Sequence, residues 1–202
     1  MQRLCFGGSF NPVHVGHLTC AKAVAAGQGF DRVVLIPASV SPLKVADAAA
    51  LAPAADRLAM CRLAAAAEEP AGLFEADDVE TRRGGRSYTI DTVRALKTRG
   101  NGWQDLAWLI GADQLMDLPR WHRPEELMAE CRLVVMARPG WTMDWDTLPP
   151  AFRHLRHHVA AAPLLDVSAT EIRRRVRAGE SIAGLVVAPV ERYIAERGLY
   201  RG

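Results

Sequence analysis

The sequence predicts an α/β fold built on an open parallel sheet with helices on both faces. Residues 3–6, 31–37 and 106–110 are short apolar runs of the kind that forms buried strands. Between the first two runs, residues 16–28 have the apolar spacing of a helix. A strand, a helix and a second strand within the first 37 residues indicate a right-handed parallel βαβ unit.

The remaining chain continues the alternation of helices and strands. Apolar spacing predicts helices over 56–67, 88–98, 124–130 and 189–197, and strands over 73–76 and 133–136. Residues 46–55 are expected to be a mobile loop or a loose helix, and residues 141–150 are expected to be a loop. Because ligands bind at the carboxyl ends of the strands in such sheets, the segments that follow the strands are the candidates for function.

The composition fits a chain that buries a sizeable core. The 202 residues are 50% hydrophobic, with a formal net charge of +2, and no linker or internal repeat interrupts them. We therefore expect a single domain over residues 1–202. The near-neutral charge gives no indication of nucleic-acid binding, and no apolar run approaches the ~20 residues that span a bilayer. We expect neither a nucleic acid nor a membrane as a partner, whereas a homo-oligomer remains open.

The cysteines have no spacing typical of a metal site or of a redox motif. They stand in apolar surroundings at Cys5, Cys20, Cys61 and Cys131. We expect buried, reduced thiols. The start of the chain leads directly into the first strand without a signal-peptide pattern, which favours a cytoplasmic protein.

Residues 7–17, GGSFNPVHVGH, connect the first strand to the first helix. This layout brings backbone N–H groups and the positive end of a helix to one point, which suits a phosphate group. His14 and His17 add ring N–H donors at the same place. The segment matches neither the Walker A motif nor the dinucleotide fingerprint, and two histidines alone make a poor zinc site. The simpler alternative is a tight turn with surface histidines, but the combination in one segment favours phosphate binding.

A second anion site is predicted near the end of the chain. Ser168 or Thr170 would cap a helix that carries Arg173 one turn later. Gly111 and Asp113 follow the apolar run 106–110, where a small residue lets a nucleotide approach the backbone. Asp113 would bind ribose hydroxyls or, alternatively, cap the next helix.

Four further segments have both a functional and a structural interpretation. Lys44 would lie over the phosphate site or be a solvated side chain of its loop. Ser87 is predicted to cap the helix over 88–98, whose free N–H groups suit a carboxylate. Trp121 would stack on an aromatic ligand or belong to the core. The acids at 77–80 could hold a metal, but a solvated acidic turn is the preferred interpretation.

The motif GGSFNPVHVGH resembles G-G-x-F-x-P-x-H-x-G-H of the nucleotidyltransferase superfamily. Three other segments, SYTIDT, GAD and VSATEIR, are similar to motifs of this superfamily and, more narrowly, of the bacterial nicotinate-nucleotide adenylyltransferases. The similarity extends over most of the chain. It implies a Rossmann-like nucleotidyltransferase fold.

The resemblance also implies a reaction in NAD biosynthesis. ATP and nicotinate mononucleotide would give nicotinate adenine dinucleotide and pyrophosphate, with Mg²⁺ held mainly by phosphates and water and by no dedicated protein ligands. The resemblance assigns catalysis to His14, His17, Lys44 and Arg173. It assigns ATP binding to Gly8, Ser9, Phe10, His14, His17, Gly111, Asp113, Ser168, Thr170 and Arg173, and binding of the mononucleotide to Lys44, Thr89, Trp121 and His122.

The chain departs from the family pattern at four positions. Ser41 and Leu43 replace a proline and a histidine that are common near Lys44, Ala169 replaces a serine, and His122 stands where tyrosine is common. Pantetheine-phosphate adenylyltransferase, a nicotinamide-preferring adenylyltransferase and a non-catalytic nucleotide sensor are the alternatives. Ser87 to Thr89 and Trp121 argue against the first, and the intact His14, His17 and Arg173 argue against the last.

Overall fold

The computed structural model describes residues 1–42, 51–137 and 140–201. Within these ranges, six strands form one parallel sheet in the order β3-β2-β1-β4-β5-β6. The strands are β1 (Arg3–Gly8), β2 (Arg32–Pro37), β3 (Phe74–Ala76), β4 (Ala107–Gly111), β5 (Arg132–Ala137) and β6 (Val159–Ala161). The predicted parallel sheet is confirmed.

Helices connect the strands and cover both faces of the sheet. They are α1 (Val15–Gln28), α2 (Ala54–Ala67), α3 (Val79–Arg83), α4 (Thr89–Lys97), α5 (Ala112–Leu115), α6 (Pro124–Glu130), α7 (Ala169–Arg177) and α8 (Ala188–Glu196). Short 3₁₀ segments occur at Leu118–Arg120, Trp145–Thr147 and Pro150–His158. In the part of the chain that these ranges cover, no helix has the length and apolarity to cross a membrane.

The two faces of the sheet carry separate hydrophobic clusters because successive strand side chains point in opposite directions. In β1, Leu4 and Phe6 pack in a cluster with residues of α1, α2, α7 and α8. Cys5, between them, packs in the other cluster with residues of α4 and α6. A fully buried leucine or isoleucine contributes about 1.5–3 kcal/mol relative to an exposed one, so the sheet centre is the main source of stability.

The structure corrects two expectations about the segment after β3. Ser87 does not cap α4: Tyr88 occupies that position, and the Ser87 hydroxyl accepts a hydrogen bond from the Ser39 backbone N–H at 2.9 Å. The acids at 77–80 are not a solvated turn, because Glu80 lies in α3 and is only 3% exposed. Asp77 accepts hydrogen bonds from the guanidinium of Arg99.

The end of β1 depends on a glycine at position 7. Gly7 lies against the indole of the buried Trp108 on β4, and a Cβ at Gly7 would overlap the indole Cζ2 atom. The position of this indole therefore requires the absence of a side chain at Gly7. By contrast, a Cβ added to Gly27, near the end of α1, would meet no atom within 4 Å.

We expect Gly7→Ala to lower the free energy of unfolding by about 1–3 kcal/mol, because the added methyl group overpacks the contact with Trp108. Gly27→Ala is the matched control and should be neutral or stabilise by up to about 1 kcal/mol through helix propensity. Urea unfolding of the two variants measures the difference. Equal stability of the two variants would contradict the assigned contact.

Candidate active site

The carboxyl ends of β1, β2 and β4 border a cleft with two adjoining cavities. The Arg173 cavity, of about 490 Å³, is lined by the loop after β1, His14, His17 and the start of α7. The Trp121 cavity, of about 560 Å³, is lined by the start of α4 and the segment around Trp121. The cavities share wall residues, namely Gly7, Gly8, Ser9, Ser41, Asp113 and Gln114. A ligand in one cavity therefore lies next to a ligand in the other.

The two imidazoles of the Arg173 cavity stack on each other at the start of α1. Their ring centroids are 3.6 Å apart, with an angle of 26° between the planes. The backbone N–H of His14 donates to Nδ1 of His17 at 3.3 Å. Because Nδ1 of His17 accepts this bond, the proton of the neutral ring resides on Nε2, where it is a hydrogen-bond donor.

His14 is more deeply placed than His17, with 8% of its surface exposed. Burial lowers the pKa of His14 to about 4, because the charged imidazolium loses its hydration. A side chain at Gly16 would press on the His14 ring, since an added Cβ would lie 3.0 Å from Nδ1. The glycine therefore permits the inward position of His14.

Phe10 supports the imidazoles from the loop after β1. Its ring packs edge-on against His17 at a centroid distance of 5.1 Å and against Phe6 at 5.5 Å. Phe10 has a positive φ of 44°, which is uncommon for a residue with a side chain. The buried ring of Phe10 offsets this conformational cost by its packing.

Arg57, on α2, connects the two loops that border the cleft. Its guanidinium donates to the backbone carbonyls of Ser9, Ser39 and Ala52 at 2.8, 3.0 and 2.9 Å. Only 1% of Arg57 is exposed, and burial lowers its pKa. Arg57 therefore anchors the loops after β1 and β2.

The start of α7 brings hydroxyl groups and a guanidinium into the Arg173 cavity. Ser168 is the N-cap, and its hydroxyl accepts from the Glu171 N–H at 3.2 Å. Arg173 donates to the Asn11 carbonyl at 2.8 Å and to the Thr170 hydroxyl at 3.4 Å. The predicted proximity of the two anion sites, which are far apart in sequence, is present in the structure.

The two neighbouring arginines of α7 face away from this cavity. Arg174 forms ion pairs with Glu171 and Glu180, and Arg175 forms one with Glu171. These are surface pairs, as the sequence-based interpretation of both residues expects.

The Trp121 cavity combines an indole with a helix start. Thr89 is the first residue of α4, so its backbone N–H has no intrahelical acceptor. Trp121 is half-buried and lines the cavity, and the His122 ring lies 4.4 Å from that of Tyr88. Trp121 is therefore not enclosed in the core, and its indole is accessible to a ligand.

Glu80 is a cavity residue that sequence reasoning missed. Its carboxyl group lines the Trp121 cavity, accepts from the Thr92 hydroxyl at 2.7 Å and is hydrogen-bonded to Ser87. Burial raises the pKa of Glu80, although Thr92, Ser87 and the nearby Arg83 oppose the shift. An acidic stretch is usually solvated, so no local pattern distinguishes this acid from Asp77 and Asp78.

Asp113 reaches both cavities from the start of α5. Gly111 occupies the N-cap position, so the alternative of Asp113 as the helix cap is wrong. A Cβ at Gly111 would overlap Oδ1 of Asp113, which explains the small residue before this acid. The exposed carboxylate of Asp113 remains available to a ligand.

From the sequence, Lys44 is expected near the phosphate site, and no dedicated protein ligands are expected for Mg²⁺. Lys44 and Leu43 lie outside the described residues. Among residues 1–42, 51–137 and 140–201, no group of three or more His, Cys, Asp or Glu side chains is arranged to hold a metal ion. The four cysteines are buried and free, as expected.

The comparisons with known proteins agree on one family. The family described as cytidylyltransferase-like matches residues 5–175. A probable nicotinate-nucleotide adenylyltransferase of Yersinia pestis (strain Pestoides F) is 39% identical, over 98% of this chain and 94% of the relative. A relative of the same name from Roseiflexus sp. (strain RS-1) is 40% identical, over 96% of each chain.

Solved structures show the same fold at low sequence identity. Plasmodium falciparum nicotinic acid mononucleotide adenylyltransferase, complexed with NaAD, has a TM-score of 0.76 at 15% identity, over 98% of this chain and 97% of the other. The same enzyme complexed with APC has a TM-score of 0.74 at 15% identity, over 98% and 96%. Family match, relatives and fold together place this chain in the nicotinate-nucleotide adenylyltransferase family of cytidylyltransferase-like proteins.

Proposed function

We propose that this chain transfers the adenylyl group of ATP to nicotinate mononucleotide, giving nicotinate adenine dinucleotide and pyrophosphate in NAD biosynthesis. The observation that carries the proposal is the pair of adjoining cavities with a shared wall at Gly8 and Ser9. One cavity has the donors that a triphosphate needs, and the other has an indole beside free backbone N–H groups. The names of the relatives support the same reaction.

In this proposal, ATP occupies the Arg173 cavity. The triphosphate contacts the imidazoles of His14 and His17, the guanidinium of Arg173 and the hydroxyls at the start of α7. The side chain of Asp113 binds ribose hydroxyls. The complete proposed ATP site consists of Gly8, Ser9, Phe10, His14, His17, Gly111, Asp113, Ser168, Thr170 and Arg173.

Nicotinate mononucleotide occupies the Trp121 cavity. Its pyridine ring stacks on Trp121, and aromatic stacking contributes about 1 kcal/mol beyond the burial of surface area. The backbone N–H groups of Thr89 and His122 bind the carboxylate, and Lys44 approaches the phosphates. Backbone N–H groups favour the acid over the amide because they interact more strongly with a charged acceptor.

The reaction needs no nucleophilic side chain. A phosphate oxygen of the mononucleotide attacks the α-phosphorus of ATP, a new oxygen–phosphorus bond forms, and the bond to the β-phosphate oxygen breaks. Pyrophosphate leaves with the electron pair of that bond. Catalysis is then positioning of the two substrates together with stabilisation of charge around the α-phosphorus.

His17 is placed to stabilise this charge, because its neutral ring has the proton on Nε2 when Nδ1 accepts from His14. Bound Mg²⁺ would neutralise part of the triphosphate charge. The residues fit a metal that is coordinated by phosphates and water, since Mg²⁺ commonly keeps several waters and needs few protein ligands.

The substrate assignment is tested by pyrophosphate release with ATP and Mg²⁺. We expect turnover with nicotinate mononucleotide and a much lower rate with nicotinamide mononucleotide or phosphopantetheine. Equal rates with the acid and the amide would contradict carboxylate recognition by Thr89 and His122. Turnover with phosphopantetheine alone would indicate a different substrate class, and no turnover in any reaction would favour the nucleotide sensor.

His17→Ala is expected to lower kcat by about 10²- to 10³-fold, the usual effect of removing a donor to developing charge. The KM for nicotinate mononucleotide should change little, because His17 lines the other cavity. His157→Ala, on the exposed 3₁₀ segment, is the control. Steady-state kinetics of the two variants measure both parameters. A near-normal kcat for His17→Ala would show that this residue does not take part in the reaction.

His14 should make stability depend on pH in a defined window. Its folded-state pKa of about 4 lies below the ordinary histidine value of 6.5, so the unfolded chain binds more protons between these two pH values. The contribution of the neutral His14 ring to the free energy of unfolding is fully present above pH 6.5. It is lost as the pH falls towards 4. We expect this loss to reach about 1–3 kcal/mol and to be absent in His14→Gln.

Urea unfolding of both proteins from pH 4.5 to 7.5 measures the effect. The difference between wild type and His14→Gln isolates His14 from other titrating groups. A difference that does not change with pH would contradict the buried, neutral imidazole.

A further inference from the structure

The hydroxyl of Tyr200, after the last helix, contacts the loop after β1. It donates to Oδ1 of Asn11 at 2.9 Å, across 189 positions of sequence. Asn11 is itself 7% exposed and belongs to the segment that leads to His14. The contact therefore connects the end of the described chain to the Arg173 cavity.

Asn11 joins several segments at this point. Its side-chain oxygen also accepts from the Ala52 N–H at 2.9 Å, and its backbone carbonyl accepts from the guanidinium of Arg173 at 2.8 Å. Movement of Asn11 would therefore displace the acceptor that orients Arg173. Tyr200 restrains Asn11 through one hydrogen bond to the side-chain oxygen, and Asn11 in turn holds the carbonyl that Arg173 contacts.

Tyr200 is held in place and is not a frayed terminal residue. Together with Leu199 it packs against the hydrophobic cluster that includes α2 and α8. Burial raises the pKa of its phenol, and the positive charges of Arg173 and Arg57 act on it from nearby. Its backbone adopts a left-handed conformation, with φ of 66°.

We propose that Tyr200 is a positioning residue for the Arg173 cavity. Its hydroxyl fixes Asn11, and the Asn11 carbonyl in turn holds the guanidinium of Arg173 where it faces a triphosphate. This inference rests on the proposed assignment of that cavity to ATP. Small displacements of a positioned group have large effects on such sites, so the loss of one hydrogen bond should be measurable in ATP binding.

Tyr193 provides a matched control in the same part of the chain. Its hydroxyl donates to Asp56 of α2 at 2.7 Å, and Asp56 also interacts with Arg197. Tyr193 therefore fastens α8 to α2 through Asp56, whereas Tyr200 bonds to Asn11. Removing either hydroxyl deletes one hydrogen bond of a C-terminal tyrosine, but only Tyr200 bonds to the loop.

The experiment compares Tyr200→Phe with Tyr193→Phe in the full chain. We expect Tyr200→Phe to raise the KM for ATP about three- to ten-fold, the range of one hydrogen bond, with the KM for nicotinate mononucleotide unchanged. Tyr193→Phe should lower the melting temperature but leave the KM for ATP at the wild-type value. Calorimetric titration with ATP should give the same shift in Kd for Tyr200→Phe.

A double substitution tests whether Tyr200 acts through Asn11. In an Asn11→Ala background, Tyr200→Phe should have no further effect on ATP binding, because the acceptor of its hydroxyl is already absent. An undiminished effect in that background would overturn the proposal. So would similar changes in Tyr200→Phe and Tyr193→Phe, or an unchanged ATP affinity in Tyr200→Phe.

Failure of the proposed function gives a different result. If the wild-type chain binds ATP without releasing pyrophosphate, the transfer reaction is wrong, and the calorimetric comparison still decides the role of Tyr200. If the wild-type chain does not bind ATP, both the proposed function and this inference are overturned.

Discussion

The buried guanidinium of Arg57 is the interaction on which the geometry of the cleft depends. A charged group that is withdrawn from water must be hydrogen-bonded, and Arg57 uses the carbonyls of Ser9, Ser39 and Ala52 for this purpose. These carbonyls come from the loop after β1, the loop after β2 and the segment before α2. One side chain therefore joins three segments at this end of the sheet. The rigid core supplies the strands, whereas Arg57 determines how the loops at their ends are arranged.

Burial also sets the charge states inside the cleft. Desolvation lowers the pKa of His14 and raises that of Glu80, so each group is shifted towards its neutral form. Burial therefore favours a neutral imidazole of His14 in the Arg173 cavity. In the Trp121 cavity, hydrogen bonds with Thr92 and Ser87 and the charge of Arg83 lower the pKa of Glu80 and oppose the effect of its burial.

The sequence predicts the parallel sheet because β1, β2 and β4 are apolar on both faces, which produces continuous apolar runs. It does not predict β6, since Val159–Ala161 is a three-residue edge strand with no extended pattern. The motifs around His14 and Arg173 are recognisable because their residues are close together in the sequence. Glu80 and Tyr200 are not recognisable in this way, because their partners lie far along the chain or in a neighbouring element. The prediction that Ser87 caps α4 is wrong for a similar reason. Local spacing assigns the Ser87 hydroxyl to the helix start, but in the structure this hydroxyl accepts a hydrogen bond from the N–H of Ser39, 48 positions earlier.

The contact between Tyr200 and Asn11 has a consequence for the order in which the protein is completed during synthesis. A ribosome makes the chain from the N-terminus, so β1, the histidines and even α7 are available before residue 200 emerges. A nascent chain that ends at α7 already contains Arg173 and its acceptor carbonyl but not the phenol that restrains Asn11. The contact joins residues that are 189 positions apart, so closing this loop in an unfolded chain has a large entropic cost. The cost is reduced once the intervening sheet has formed, because the sheet already brings the two ends together. Asn11 thus acquires this restraint only after the segments from β1 to α8 have been made.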